Sequence, residues 1–221
     1  LISTFLSRAV DLYPEQIAVI DGERRLSFRQ LDLRVRRLVG ALKGLGLRRG
    51  DRVAVIDVNS SRYLELYYAC AQAGFVLAPL NIRLSPPEIR YILRDCGARE
   101  AVAQEVSLDH VIALDQAFNE TSHDYETILA NAAPDDDKLD QSPEDVCNIY
   151  YTSGTTGEPK GVCLTLGNMT ASAWDSILSL GLGSDDVWLH AAPISGKDQT
   201  AQASTRWNMG AACSQTSSDP S

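Results

Sequence analysis

The chain has 221 residues, of which 44% are hydrophobic, and a formal net charge of −9. This length and apolar content are sufficient for one domain with a sizeable core. The acidic balance argues against nucleic acid or an anionic membrane as a partner, because either would require a basic face.

Helical and strand patterns alternate along the chain. In order, we predict a helix at 1–13, a hairpin at 17–21 and 24–27, helices at 28–45, 61–73, 86–95, 125–130 and 168–180, strands at 52–57, 75–80, 100–104, 110–114, 146–149 and 162–165, and a turn at 185–193 leading into another strand. Ser27 with Gln30, and Ser85 with Glu88, have the spacing of capping boxes at helix starts. The alternation predicts an α/β fold with a mainly parallel sheet and helices on both faces.

Two groups of charged residues are predicted to be solvated surface. Arginines cluster at 24–25, 34–37 and 48–49, and residues 134–145 are rich in aspartate and glutamate. An acidic metal site in 134–145 is the alternative, but the acids are largely consecutive and nothing positions them. We therefore expect a solvated linker there.

The five cysteines indicate a reducing environment. They lie at positions 70, 96, 147, 163 and 213, with no CxxC pair and an odd total. Four fall in apolar runs, where a free thiol behaves as a small hydrophobe. Together with three dispersed histidines, this pattern predicts no metal site and an intracellular location, cytoplasmic or in an organellar lumen. No membrane-spanning run or signal peptide is visible, although the chain begins with leucine and its targeting stays undefined.

The glycine-rich loop, residues 152–161, carries the strongest functional signal. The run from Tyr150 to Gly161 contains three glycines, four Ser/Thr hydroxyls and one lysine, directly after an apolar strand pattern. Small residues expose backbone N–H groups, and hydroxyls with an ammonium can converge on a polyphosphate. A flexible Ser/Thr/Gly loop is the alternative. The order of residues favours phosphate binding, with hydroxyls before the middle glycine and a stiff Pro159 before Lys160.

The loop is not a Walker motif. That motif places the lysine directly after the last glycine and a hydroxyl directly after the lysine. Here Glu158 and Pro159 separate Gly157 from Lys160, and the residues after Gly161 have a strand pattern. The sequence therefore predicts a strand–loop–strand flap over phosphates.

The segment YTSGTTGEPKGV at 151–162 resembles the phosphate-binding signature of AMP-forming adenylate ligases, which include acyl-CoA synthetases. The segments GDRVAV at 50–55, Asn59-Ser60 and APLNIRLS at 78–85 are similar to acyl-CoA synthetases in particular. The resemblance extends from about residue 12 to Pro193. It implies an acid–thiol ligase that activates a carboxylic acid with ATP and transfers the acyl group to coenzyme A.

The resemblance also implies site residues and cofactors. Side chains expected to bind the β- and γ-phosphates of ATP are Thr152, Ser153, Thr155, Thr156 and Lys160, while Gly154, Gly157 and Gly161 would supply the backbone shape. Glu158 occupies a variable position and is given no role. The family also uses Mg²⁺, but its magnesium-binding glutamate does not occur in this sequence, and neither do the later adenine- and ribose-binding motifs.

Residues 1–194 are therefore predicted to be a partial N-terminal AMP-binding domain. Residues 195–221 contain no Ile, Leu, Val or Phe, so we expect a disordered tail foreign to the family. The main hypothesis is a catalytically incomplete fragment of an acyl-CoA synthetase. The alternative is a non-catalytic ATP- or phosphate-binding protein, or an interaction protein that associates with a full-length relative. The sequence does not indicate which acid is activated.

Overall fold

The computed structural model describes residues 1–98, 100–102, 110–113, 122–152, 158–184, 186–187 and 189–190. The helices are α1 (Phe5–Leu12), which follows a 3₁₀ turn at Ile2–Thr4, α2 (Phe28–Gly44), α3 (Ser61–Ala73), α4 (Pro86–Cys96), α5 (Tyr125–Asn131) and α6 (Leu166–Leu180). The strands are β1 (Ile17–Asp21), β2 (Arg24–Ser27), β3 (Arg52–Ile56), β4 (Val76–Leu80), β5 (Glu100–Val102), β6 (His110–Ala113), β7 (Ser122–Asp124), β8 (Val146–Thr152) and β9 (Lys160–Thr165).

Seven of the described strands form one sheet in the order β7-β6-β5-β3-β4-β8-β9. Every neighbouring pair is parallel except β8 and β9, which are antiparallel. The predicted hairpin of β1 and β2 forms a separate two-stranded sheet. The prediction of an α/β fold with a mainly parallel sheet is confirmed.

Helices cover both faces of the large sheet, as predicted. Successive residues of a strand point to opposite faces. Val53 and Val55 accordingly belong to the main core with α1, α2, α3 and α5, whereas Ala54 packs with Ile92 and Leu93 of α4. The sheet therefore separates a large α2/α3 side from a smaller α4 side.

The predicted helix ends are also present. Ser27 and Ser85 both form capping boxes with the side chain three residues later. Gly74 and Gly97 end α3 and α4 with φ of 70° and 62°, a left-handed conformation that glycine adopts without a Cβ penalty. No helix in the described part of the chain is long and apolar enough to cross a membrane.

Some elements differ from the sequence patterns. Strand β7 was not predicted, because three residues reading Ser-His-Asp show no apolar alternation. Residues 186–187 and 189–190 are not strand. The rest of the predicted turn and strand at 185–193, and the predicted tail at 195–221, lie outside the described residues.

The acidic segment is largely exposed and has no helix or strand, as expected of a linker, but part of it is held by basic partners. Residues 133–145 are here called the acidic strap, and their first part, 133–137, contacts α2. Lys43 Nζ is 2.7 Å from Asp135 Oδ2, and the side chain of Asp135 is only 15% exposed. The backbone N–H of Asp135 donates to the Arg36 carbonyl over 3.0 Å, and Arg36 also pairs with Asp136. The consecutive acids thus meet basic partners about a hundred positions earlier, which local sequence cannot reveal.

Candidate functional site

The glycine-rich loop leaves the carboxyl edge of the parallel sheet. Strands β3, β4 and β8 run parallel as neighbours and end at Ile56, Leu80 and Thr152, so their carboxyl ends meet at the same edge. In open α/β sheets, ligands bind beyond this edge. Strand β9 then returns antiparallel to β8. The predicted strand–loop–strand arrangement is confirmed.

The two stems of the loop place Thr152 opposite Lys160. These residues are partners in the β8–β9 ladder, at the point where the loop begins and ends. Thr152 is half-buried and Lys160 is exposed. Among the described residues, Lys160 has no ion-pair partner. A hydroxyl-bearing and an ammonium-bearing residue are therefore cross-strand partners at the carboxyl edge of the sheet.

Three of the eight predicted phosphate-binding residues lie in the described chain. Thr152, Lys160 and Gly161 are brought together by the ladder. Ser153, Gly154, Thr155, Thr156 and Gly157 lie outside the described residues. Their phosphate contacts stay a prediction.

Gly161 is needed for close packing. Its φ is not positive, unlike that of six other described glycines. A Cβ at this position would lie 3.1 Å from both Ile149 Cγ2 and Tyr151 Cζ, and 3.3 Å from Tyr151 Oη. Such contacts are tighter than ordinary van der Waals separations, so a side chain at 161 would displace its cross-strand neighbours.

Adjacent tyrosines fix β8 from opposite faces of the sheet. Tyr150 is buried, and its Oη lies 2.6 Å from Tyr67 Oη on α3. Asn148 Nδ2 also donates to Tyr150 Oη over 3.1 Å. Burial, followed by the nearby Tyr150, raises the pKa of Tyr67 well above its ordinary value. The Tyr67 hydroxyl therefore remains protonated, and its contact with Tyr150 ties β8 to α3 just before the loop.

On the other face, Tyr151 contacts α4. Its hydroxyl donates to Asp95 Oδ2 over 2.6 Å. Burial, followed by this hydrogen bond, raises the pKa of Tyr151, which keeps the hydroxyl a donor. Tyr91 of α4 approaches Glu158 Oε2 at 3.5 Å, a weaker contact on the far side of the loop. Sequence reasoning missed these partners, although the adjacent tyrosines at the end of a strand were visible.

Elsewhere in the described chain we find weaker candidates for a functional site. Cavities of about 370 Å³ and 500 Å³ border the acidic strap, and neither is lined by the loop stems. Within the described ranges, no group of three or more His, Cys, Asp or Glu side chains could hold a metal ion.

Comparison with known proteins shows which family the chain belongs to. The model of the AMP-binding enzyme family matches residues 6–196, and the chain belongs to that family. Feruloyl-CoA synthase of Amycolatopsis sp is 38% identical over 194 residues, which cover 85% of this chain and 38% of that protein. The 2-succinylbenzoate–CoA ligase of Geobacillus sp. (strain WCH70) is 33% identical over 196 residues, which cover 87% of this chain and 38% of the ligase. The chain thus spans well under half the length of these relatives.

Solved structures agree with the fold. The anthranilate CoA ligase AuaEII, in complex with anthranoyl-AMP, superposes with a TM-score of 0.91 at 24% identity, covering 99% of this chain and 45% of that one. The o-succinylbenzoate CoA synthetase MenE from Bacillus subtilis, in complex with the acyl-adenylate intermediate OSB-AMP, gives a TM-score of 0.80 at 27% identity, covering 95% and 55%. The predictions of fold class and family are therefore confirmed.

Proposed function

We propose that this chain carries the part of an AMP-forming acyl-CoA ligase that binds the phosphates of ATP. The whole enzyme would convert a carboxylic acid and ATP to acyl-AMP and pyrophosphate, and would then pass the acyl group to the thiol of coenzyme A. The pairing of Thr152 with Lys160 across the loop stems, at the carboxyl edge of the sheet, is the observation that carries this proposal.

The loop would act on the leaving group. When a carboxylate oxygen attacks the α-phosphorus, the bond between that phosphorus and the α,β-bridging oxygen breaks, and pyrophosphate departs with the electron pair of the broken bond as negative charge. Preorganised donors at that position lower the barrier. Lys160 would supply a cation, and the hydroxyls of Thr152, Ser153, Thr155 and Thr156 would supply hydrogen bonds. ATP would arrive as its magnesium complex, and the glycines at 154 and 157 would let the backbone approach the phosphates.

For the substrate and the cellular location we propose only a class. Relatives are named for feruloyl, 2-succinylbenzoate and indoleacetate substrates, so carboxylic acids that carry an aromatic ring are the first class to test. The described cysteines at 70, 96, 147 and 163 are free thiols, which supports a reducing location in the cytoplasm or an organelle. We assign residues 1–194 to the AMP-binding part and treat 195–221 as outside it.

A second candidate is a non-catalytic protein that binds phosphates or associates with a full-length relative. It is favoured by exposed apolar side chains on and near α6. Trp174, Leu178 and Leu180 are 51%, 78% and 50% exposed, and Val162 on the sheet edge is 46% exposed. Contiguous exposed apolar surface commonly marks an interaction site.

Binding of ATP and of pyrophosphate by the 221-residue chain, measured by titration calorimetry, tests the proposal. Lys160→Ala should weaken binding by about tenfold or more, because it removes a charge-assisted hydrogen bond of about 1.5–3 kcal/mol. Lys138→Ala is the matched control, since it removes an equal charge from the acidic strap. Equal affinities for the Lys160→Ala variant and the unmodified chain would contradict the loop assignment.

A further inference from the structure

We propose that Tyr151 is a positioning residue that locks the two stems of the glycine-rich loop to each other and to α4. This inference rests on the proposed function, because it concerns the geometry of the same phosphate-binding loop. It adds one specific side chain, with the two contacts through which it acts.

The first contact runs from the loop to the helix. Tyr151 is the second-last residue of β8, so its hydroxyl acts one position before the loop begins. The 2.6 Å bond to Asp95 Oδ2 reaches the last turn of α4. Hydrogen bonds to a charged acceptor are shorter and stronger than neutral ones. The stem of β8 is thereby attached to a helix that is itself packed on the sheet through Ile92 and Leu93.

The second contact runs between the stems. Tyr151 and Gly161 are ladder partners, and the tyrosine ring occupies the space where a side chain at 161 would lie. A residue larger than glycine at 161 would push the ring, and with it the hydroxyl, away from Asp95. The positions of β9, β8 and α4 are therefore coupled through one ring.

The outgoing stem has a weaker contact with the same helix. Tyr91 lies one helical turn before Asp95 and approaches the Glu158 carboxylate at 3.5 Å. Helix α4 thus contacts the chain both before and after the loop. Phosphate-binding donors must be held in place before the ligand arrives to be effective, and this arrangement provides that restraint.

Hydrogen exchange on the ligand-free 221-residue chain separates this idea from the proposed function. Tyr151→Phe should raise amide exchange in 146–152 and 160–165 by about fivefold or more, as expected for loss of one hydrogen bond to a charged group. Exchange in α2 should stay unchanged. The matched control is Tyr125→Phe, which removes a hydroxyl bonded to the Glu65 carboxylate over 2.8 Å, away from the loop stems.

A conservative and a disruptive substitution at Asp95 provide the second part of this hydrogen-exchange test. Asp95→Asn keeps an oxygen acceptor without the charge and should raise the exchange of the loop stems by clearly less than Tyr151→Phe does. Asp95→Ala should raise the exchange of the loop stems as much as Tyr151→Phe does. The double variant, Tyr151→Phe with Asp95→Ala, should show no further increase in exchange. A purely structural tyrosine would instead raise exchange throughout the domain, and rescue by asparagine would be absent.

Affinity for pyrophosphate, measured on the same variants, completes the test. We expect Tyr151→Phe and Asp95→Ala to weaken binding several-fold, whereas Asp95→Asn and Tyr125→Phe should not. Unchanged stem exchange in Tyr151→Phe would overturn the inference. If stem exchange rises as expected but neither the unmodified chain nor any variant binds pyrophosphate, the locking of the stems stands and the proposed function fails.

Discussion

Arg34 on α2 and Glu65 on α3 form a bidentate ion pair inside the domain. Arg34 Nε donates to Glu65 Oε1 over 2.7 Å and Nη2 donates to Oε2 over 3.1 Å, while the Glu65 side chain has no exposed surface. Arg34 also reaches Glu126 on α5, which receives contacts from Arg24 and Arg62. This part of the arginine clusters is therefore a structural network that joins α2, α3 and α5, and the expectation of a purely solvated surface is wrong for it.

The network should make stability depend on pH through Glu126. Burial tends to raise the Glu126 pKa, but the hydrogen bond and charge of Arg34 and the charge of Arg24 outweigh it and lower the pKa below 4.5. A carboxylate whose pKa is lower in the folded than in the unfolded state stabilises the fold at pH values above its unfolded pKa. This stabilisation is lost as the pH falls through the folded pKa. Glu126→Gln should cost about 1 kcal/mol near neutral pH, a modest figure because the exposed part of the side chain is screened by solvent.

Urea unfolding at a series of pH values would check this prediction. The stability difference between the unmodified chain and Glu126→Gln should be constant near neutral pH and should shrink progressively as the pH falls through the unfolded and then the folded pKa of Glu126. Glu144→Gln is the control, because Glu144 is an exposed carboxylate outside the network. A difference that is independent of pH would argue against the network as the cause.

Two glycines of α2 should respond oppositely to the same substitution. A Cβ at Gly40 would lie 2.2 Å from the carbonyl oxygen of Ala133 in the acidic strap, whereas a Cβ at Gly44 would meet nothing within 4 Å. Gly40→Ala should therefore destabilise the fold by about 1–3 kcal/mol through overpacking. Gly44→Ala should be neutral or stabilising by up to about 1 kcal/mol, the usual gain in helix propensity. Thermal unfolding of both variants would decide, and a stabilised Gly40→Ala would show that the strap is not held against α2.

The apolar surface near α6 should promote self-association. Leu178→Lys, at a side chain that is 78% exposed, should reduce association without lowering the melting temperature. Leu12→Lys on α1, 65% exposed, tests whether any added charge has the same effect. Analytical ultracentrifugation over a range of protein concentrations would measure the self-association of each variant. A monodisperse, unmodified monomer would remove the basis for an interaction surface here.

The 221-residue chain should not complete the ligase reaction. Given ATP, magnesium, coenzyme A and a panel including ferulate, 2-succinylbenzoate and indoleacetate, it should release no pyrophosphate above background. The proposed loop site would hold the departing phosphates, but rate also requires the carboxylate to be placed in line with the α-phosphorus. Formation of acyl-adenylate that is abolished by Lys160→Ala would show that the chain is a working catalyst.

The sequence predicted those parts of the fold whose causes are local. Capping boxes at Ser27 and Ser85, helix ends near residues 73 and 95, and the strand–loop–strand order around Lys160 all depend on residues within a few positions of one another. The phosphate site could be proposed for the same reason, since its hydroxyls, glycines and lysine are close in sequence, and its phosphate contacts stay a prediction.

What the sequence could not supply were partners distant along the chain. Tyr151 and Asp95 are 56 positions apart, and Lys43 and Asp135 are 92 apart. Any of several tyrosines or acids fits such a role on chemistry alone. The choice among them is made by the order of strands in the sheet, which fixes the helix that flanks each residue of β8.

The adjacent tyrosines of β8 also make the sheet register an all-or-none property. Moving β8 by a single residue against β4 would turn Tyr150 toward α4 and Tyr151 toward α3, because side chains alternate between faces. The Tyr150 hydroxyl, which now contacts Tyr67, would then face Asp95. The half-buried Tyr151 side chain would have to enter the main core. A shift of β8 along the sheet would therefore break the contacts of both tyrosines, one on each face, at the same time. The point on the sheet at which the loop begins, Thr152, is therefore held in a fixed position.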